Sequence, residues 1–446
     1  MSTENNNNAA AWGFESVFLT DHSGTKHNIS ALIYGFTYYE DIGKPFISAN
    51  LTLIDSAINL ISTGPISGGE EVEIKVQGPD EETYTYNFLV YRVGDRRIAN
   101  KIQSYNLGLI SGEALTNEGR RVSTTQSGKP HEIVQNILEE YLETEKDFTF
   151  DTSSNNMKVS PSGKSPFSLC AMMQDRALLS ISNSSQTNDS NASGEFLSGS
   201  AGYFFFENHR GYNFRSIDSL CDVEGRFGNQ QTDVKEFKDE PAEQMYDDTI
   251  LSVQFLSEIN LLEGLRLGAY ASKAVFFNIS TGKYEEFTYS AQRSWENQAH
   301  LGSQDELRPA QKELSDYPTR RISAIIDHET FYSGQKVASP EEGGGEDNDY
   351  WDWTKSVVCQ SISRNYLLNT QGLKIEVPGN LDLCVGDKIR VILPNSVNSE
   401  DRGEEPIDLE NSGYYLITKL SRFFDVSDRK VKSTLQLQRD SYGLLE

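Results

Sequence analysis

The chain has 446 residues, 37% of them hydrophobic, and carries 66 Asp and Glu against 40 Lys and Arg, a formal net charge of -26. That length exceeds what one hydrophobic core supports, so several domains are expected. The charge excludes wide contact with phosphate backbones, which are bound through Lys and Arg.

No apolar run reaches the about 18 residues that cross a bilayer as a helix. Met1 to Ala10 is a polar, Asn-rich opening without the basic and apolar regions of a signal peptide, so a disordered start, no export and no membrane anchor are expected. With 21 Tyr and 22 Phe against 5 Met, the composition favours strands.

Strand patterns begin at Ser30 to Glu40. Ile47, Ala49, Leu51 and Leu53 then alternate with Ser48, Asn50 and Thr52, which predicts a half-buried strand. A short helix around Ala57 to Ser62 and a turn at Gly68-Gly69 lead into the alternating Val72, Ile74 and Val76. Tyr84 to Val93 and Lys101 to Ile110 complete a β-barrel or sandwich over 11–112.

An α/β insert over 113–199 follows. Lys129-Pro130 places proline at a helix start, and Ile133, Val134, Ile137, Leu138, Tyr141 and Leu142 form one apolar stripe. A second helix is predicted from Ser165 to Leu179, with Phe167, Cys170, Met173 and Ala177 facing the core. Ser182 to Ser200 is rich in Ser, Asn and Gly and is expected to be a mobile loop. Tyr203 to Phe206 and Tyr212 to Phe214 flank Asn208-His209-Arg210-Gly211, the pattern of a hairpin.

The region 246–349 reads as an irregular β insert, with strands at Ala271 to Ile279 and Tyr284 to Tyr289 around a turn at Ser280 to Lys283. It closes in an acidic linker, Glu341 to Asp347, in which nothing fixes the carboxylates as metal ligands. A helix over Trp351 to Leu368 precedes the last β unit. There Leu373 to Val377, Ile389 to Leu393, Tyr414 to Thr418 and Thr434 to Leu437 alternate, interrupted by an acidic loop at Glu400 to Glu410.

Catalytic patterns are missing. His22, His27, His131, His209, His300 and His328 are dispersed, with no HExxH or HxH spacing. Cys170, Cys221, Cys359 and Cys384 lie far apart and read as buried thiols in a reducing cytoplasm. There is no GxSxG elbow and no phosphate-binding GxxxxGK[ST] loop. Acidic pairs such as Glu139-Glu140 and Asp247-Asp248 could in principle serve glycoside cleavage, but in a chain with 66 carboxylates they read as solvated faces. The expectation is therefore no catalytic, cofactor-binding or metal site, and no cofactor.

The order β unit, α/β insert, aromatic hairpin, irregular insert, helix, β unit resembles the central baseplate hub of T-even-type contractile phages. The likeness is carried by Phe46 to Asp55 running into Gly68 to Ile74, by Gly268 to Lys273 with Val275 to Ile279 and Lys283-Tyr284, and above all by Leu373 to Pro394, Gly413 to Thr418 and Leu435 to Asp440. The resemblance implies a mainly β fold with two tube-like β-barrels, one over 11–112 and a discontinuous one over 200–245 and 350–442, plus two smaller inserted domains.

It further implies a non-enzymatic homotrimer whose six barrels form a pseudo-sixfold ring in the virion baseplate, assembled in the host cytoplasm. Its expected partners are a hexameric tail tube or tube-initiator ring, a trimeric central spike and the baseplate wedge proteins, and DNA is expected to pass its channel without tight binding. The alternatives are a secretion-system spike component and a tail-associated cell-wall hydrolase.

Overall fold

The computed structural model describes residues 11–56, 60–63, 66–78, 82–100, 102–179, 200–227, 231, 233–239, 248–257, 260–278, 282, 284–326, 348–395 and 407–445. The Asn-rich start, nearly all of the Ser182 to Ser200 stretch and the acidic linker from Glu341 to Asp347 lie outside them. So does most of the Glu400 to Glu410 loop.

Seven strands open the chain: β1 (Gly13–Thr20), β2 (Lys26–Asn28), β3 (Ile33–Asp41), β4 (Ser48–Asp55), β5 (Glu71–Gln77), β6 (Thr83–Ala99) and β7 (Ile102–Ile110). They lie in the order β2-β1-β5-β6-β7-β4-β3, all antiparallel. The alternation in β4 does what its pattern predicts, burying Ala49, Leu51, Leu53 and Asp55 on one face. The predicted short helix forms at Leu60–Thr63. β6 runs further than the predicted Tyr84 to Val93, because two bulges, at Val90/Arg92 and Gly94/Arg97, let it stay paired with β7.

The first insert has its own core. Its short strands are β8 (Gln126–Gly128), β9 (Phe148–Phe150), β10 (Met157–Val159), β11 (Leu178–Leu179) and β12 (Ser200–Ala201). The helix Pro130–Glu140 starts at the predicted proline and buries Ile133, Val134, Ile137 and Leu138 against Phe167, Cys170 and Met173 of the helix Pro166–Gln174. The predicted aromatic hairpin is β13 (Tyr203–Asn208) and β14 (Gly211–Ser216), with Asn208 opposite Gly211. Gly211 sits at φ 130 where a Cβ would strike the Asp147 carbonyl, so only glycine fits. β14 also pairs with β9, while Phe206 points the other way into the barrel core. The hairpin is a wall shared by insert and barrel.

The rest of the chain supplies β15 (Lys235–Lys238), β16 (Ser252–Ser257) and the second insert, β17 (Ala271–Asn278), β18 (Tyr284–Ser290) and β19 (Arg320–Ile326). The helix Asn348–Leu367 then leads into β20 (Gln371–Pro378), β21 (Lys388–Ile392), β22 (Gly413–Asp425) and β23 (Lys430–Arg439).

The two β units are fused through β22 and β23 in one 13-stranded sheet. Gly413 to Leu416 of β22 pairs with β21, whereas Lys419 to Asp425 pairs with β3. The hand-over falls at a bulge between Ile417 and Lys419, the device that re-aims a strand from one sheet to another. A bridge from Ala11 to Lys430 carries the first unit round to β23, and a bridge from Lys238 to Thr249 links β15 to the segment entering β16. Sharing strands in this way accounts for one continuous apolar core running through both units.

Candidate assembly interface

The residues that could carry chemistry are engaged structurally. His131 is buried, and its Nδ1 accepts from the Ser153 amide at 3.0 Å with the Ser153 hydroxyl at 2.8 Å. His27 meets Asp21 at 2.9 Å near the surface, and His22 contacts Gly68 O. All four cysteines are buried and free, and burial raises the pKa of Cys170, Cys221, Cys359 and Cys384 alike. Glu139 and Glu140 are exposed, while Asp247 and His328 lie outside the described residues. Among the described residues no group of three or more His, Cys, Asp or Glu is placed to hold a metal ion.

Charge is instead concentrated in buried seams. Arg364, fully buried in the helix Asn348–Leu367, donates to Asp218 at 2.8 Å and to Asp440 at 2.9 Å. Asp440 also meets His300 Nδ1 at 2.7 Å, and His300 Nε2 faces the Trp295 carbonyl at 3.0 Å while its ring stacks on Trp295. Burial alone would raise the Asp440 carboxyl, but His300, Arg364 and the Leu301 amide hold it well below the usual range. Asp218 goes the other way: burial pushes it up, and Arg364 and the Ala299 amide offset that only in part.

A second seam joins the two barrels to the hairpin. Glu40 of β3 accepts from the Tyr38 hydroxyl at 2.6 Å, the His209 amide at 2.8 Å and the Val385 amide at 2.7 Å. Burial raises its carboxyl, and the buried Arg422 guanidinium, packed on the Tyr38 ring, opposes that rise. In a third, Lys146 bridges Glu113 and Glu207 at 2.6 Å each and ties the first insert to the hairpin. His300 also lines a surface cavity beside Trp295, Gln298 and Asp222. The seams tie together segments that are distant in the chain.

Two exposed surfaces on the first unit stand out, a face and a stretch of edge. Outward side chains on β22, β3, β4 and β7 include Ser421, Phe423, Thr37, Tyr39, Ser48, Asn50, Thr52, Ile54, Ser104 and Asn106, all uncharged, with Asp425 and the Lys419–Asp41 pair at one margin and Arg97 of β6, paired with Ser104, at the other. Phe423 is 47% exposed. β5 pairs with β6 only as far as Leu89, so from Tyr91 to Ala99 no described strand pairs with the outer edge of β6. That stretch keeps Tyr91, Val93 and Ile98 exposed beside Arg92, Arg96 and Arg97, with Ile102 of β7 exposed opposite. The Tyr91 ring lies over Gly108, close enough that a Cβ at Gly108 would collide with it.

Sequence reading missed this edge. Its one available signal is a run of alternating strand residues that gives way at Tyr91 to cations on both faces, in a chain that is otherwise acidic.

No protein-family model matches the sequence, and a search of curated proteins finds no significant relative. Solved structures do match along most of the chain. The tail protein from Neisseria meningitidis MC58 matches with a TM-score of 0.53 at 10% identity, over 96% of this chain and 97% of that one. The 43 kDa tail protein of prophage MuSo2 from Shewanella oneidensis matches with a TM-score of 0.49 at 8% identity, over 96% and 99%. A type VI secretion component of E. coli, described as similar to T4 tail proteins gp27 and gp5, matches with a TM-score of 0.43 at 11% identity, over 97% of this chain and 78% of that one. At such identity the likeness establishes the fold: the chain has the architecture of the Neisseria tail protein along its whole length, and the mainly β fold class read from the sequence is the one observed.

Proposed function

We propose that this chain is a structural, non-enzymatic hub subunit of a phage tail baseplate, and that three copies form a ring adapting a hexameric tube to a trimeric spike. In this reading the tube-like barrels are 11–112 and 200–245 with 350–442, β16 joins the second from within 246–349, the inserts are 113–199 and the remainder of 246–349, and the β13–β14 hairpin braces barrel against insert. The observation that carries the proposal is the pair of β units fused in one sheet, which present a largely uncharged sheet face and an unpaired stretch of the β6 edge on a fold shared with a tail protein. An isolated monomer gains nothing from either, whereas neighbouring copies would cover both.

The uncharged face suits the wall of a DNA channel. Serine, threonine and asparagine offer a duplex no cation to hold; Asp41 and Asp425 outnumber Lys419 at one margin, and Arg97, paired with Ser104, stands at the other. Contacts to the spike, the tube and the wedge proteins would then fall on the two rims of the ring.

Light scattering coupled to gel filtration tests the ring, with a mass of three 50.0 kDa chains expected. Class averages with pseudo-sixfold symmetry and no measurable binding of duplex DNA at physiological salt should accompany it. A stable monomer, alone and with tube and spike partners, would overturn the proposal. Tight DNA binding by the ring would overturn the channel assignment.

A further inference from the structure

The unpaired edge of β6 differs from its surroundings in charge. Between Tyr91 and Ile102 the sequence holds Arg92, Arg96, Arg97 and Lys101 against a single carboxylate, Asp95, in a chain whose net charge is -26. The ribbon is ordered without a partner: Arg96 donates to Gln103 Oε1 at 2.8 Å, and Asn106 donates to Asp95 at 3.0 Å. Its apolar side chains are unusually open, with Ile98 65% and Ile102 45% exposed.

Arginine on an edge can simply discourage strand pairing. Here, however, it alternates with exposed Tyr91, Val93 and Ile98, the mixture of aromatic, aliphatic and Arg side chains found at interface centres.

The net positive charge of the ribbon disfavours pairing this edge with its own copy, since four cations and one carboxylate would face the same set. The complementary surface must be acidic and lie elsewhere. The first insert offers one: the end of the helix Pro130–Glu140 and the turn after it, 139–147, hold Glu139, Glu140, Glu143, Glu145 and Asp147 against Lys146. Lys146 is already committed to Glu113 and Glu207, and Arg120 neutralises Glu143 at 2.7 Å, which leaves the exposed Glu139, Glu140 and Glu145 as the acidic centre of the shoulder.

We infer that the β6–β7 ribbon of one copy docks on this acidic shoulder of a second copy. Two different patches meeting make a heterologous contact, which closes rings rather than twofold dimers. The inference rests on the proposed ring and names the contact that builds it.

Charge reversal and its rescue provide the test, read as the association constant by analytical ultracentrifugation on the full chain. R96E/R97E is expected to weaken association by about tenfold or more, and E139R/E140R to do the same. Combining all four reversals is expected to restore it, with circular dichroism unchanged throughout because every altered side chain is at the surface. Wild-type association should also weaken as salt rises. A wild-type trimer indifferent to both reversals overturns the ribbon contact and leaves the ring. A wild-type dimer that depends on them overturns the ring and leaves the contact. Loss in both reversals without rescue in the combination overturns the pairing of these two patches, and a wild-type monomer overturns ring and contact together.

Discussion

The two β units that share the large sheet are put together by different means. The first is built from one continuous stretch of chain, and two of its buried carboxylates act locally: Asp55 accepts from the Leu60 amide, and Glu70 from the amides of Ser67 and Gly68, each a few residues away, while Glu40 alone of the three reaches distant amides, those of His209 and Val385. The second is assembled from distant segments, Lys235 pairing with Ile389 and Val253 with Ile375. Its buried cations reach across the chain. Arg422 donates to the carbonyls of Asn380 and Leu383, Lys388 to Asp222 O at 2.8 Å, and Arg439 to Ser412 O at 3.0 Å, while Arg364 joins Asp218 to Asp440.

The difference has a physical sense. A strand that follows its neighbour through a short turn is already near its register, and apolar alternation suffices to fix it. Segments more than a hundred residues apart have no such help. A buried guanidinium that must find particular acceptors penalises every wrong meeting by leaving a charge unpaired.

Breaking the seam should therefore cost more than its contribution as a stabilising pair suggests. Arg364→Met is expected to destabilise the chain by about 3–5 kcal/mol, because Asp218 and Asp440 are left buried without their cation. Adding Asp218→Asn and Asp440→Asn should recover much of the loss. Urea denaturation of the two variants checks this. Equal stability of Arg364→Met and wild type would show that the seam is dispensable.

The same contrast explains what was legible in the sequence. Ala49, Leu51 and Leu53, the Lys129-Pro130 helix start and the Asn208 to Gly211 turn are local patterns, and the structure follows each of them. The helix predicted from Trp351 to Leu368 is present over Asn348–Leu367. Sharing β22 and β23 between barrels could not be read, because it depends on pairing Lys419 to Asp425 with β3 some hundreds of residues earlier. Arg422 and Arg439 sit at the ends of strand patterns where a cation reads as solvated, yet both are fully buried. The β6 ribbon escaped for the opposite reason: a strand exposed on both faces loses its alternation.

Acid should sharpen the comparison next. Asp440 is depressed in the folded chain, so its stabilising contribution is complete above the ordinary carboxylate range and is lost as pH falls toward its folded value. Asp218 and Glu40 are raised, so theirs is present at low pH and lost as pH rises. The advantage of wild type over Asp440→Asn is thus expected to be full above about pH 5 and to shrink steadily toward pH 2. Melting temperatures of both across that range test it. A gap that widens in acid would mean that the Asp440 seam is not held as an ion pair.

The smallest effect should come from an ion pair in the same barrel that is not buried. Lys235 bridges Asp382 at 2.7 Å and donates to Asn380 Oδ1 at 3.0 Å, joining distant segments much as Arg364 does. Its side chain is 39% exposed and that of Asp382 is 50% exposed, so water solvates either partner when the other is removed. Lys235→Met is expected to cost about 0–1 kcal/mol, and raising the salt concentration to remove most of what wild type gains from the pair. If this substitution instead approached the loss seen for Arg364→Met in the same urea series, burial would not be what gives the seam its weight. Long-range connection alone would then explain the discontinuous barrel, and the contrast with the first barrel would rest on chain topology without any electrostatic component.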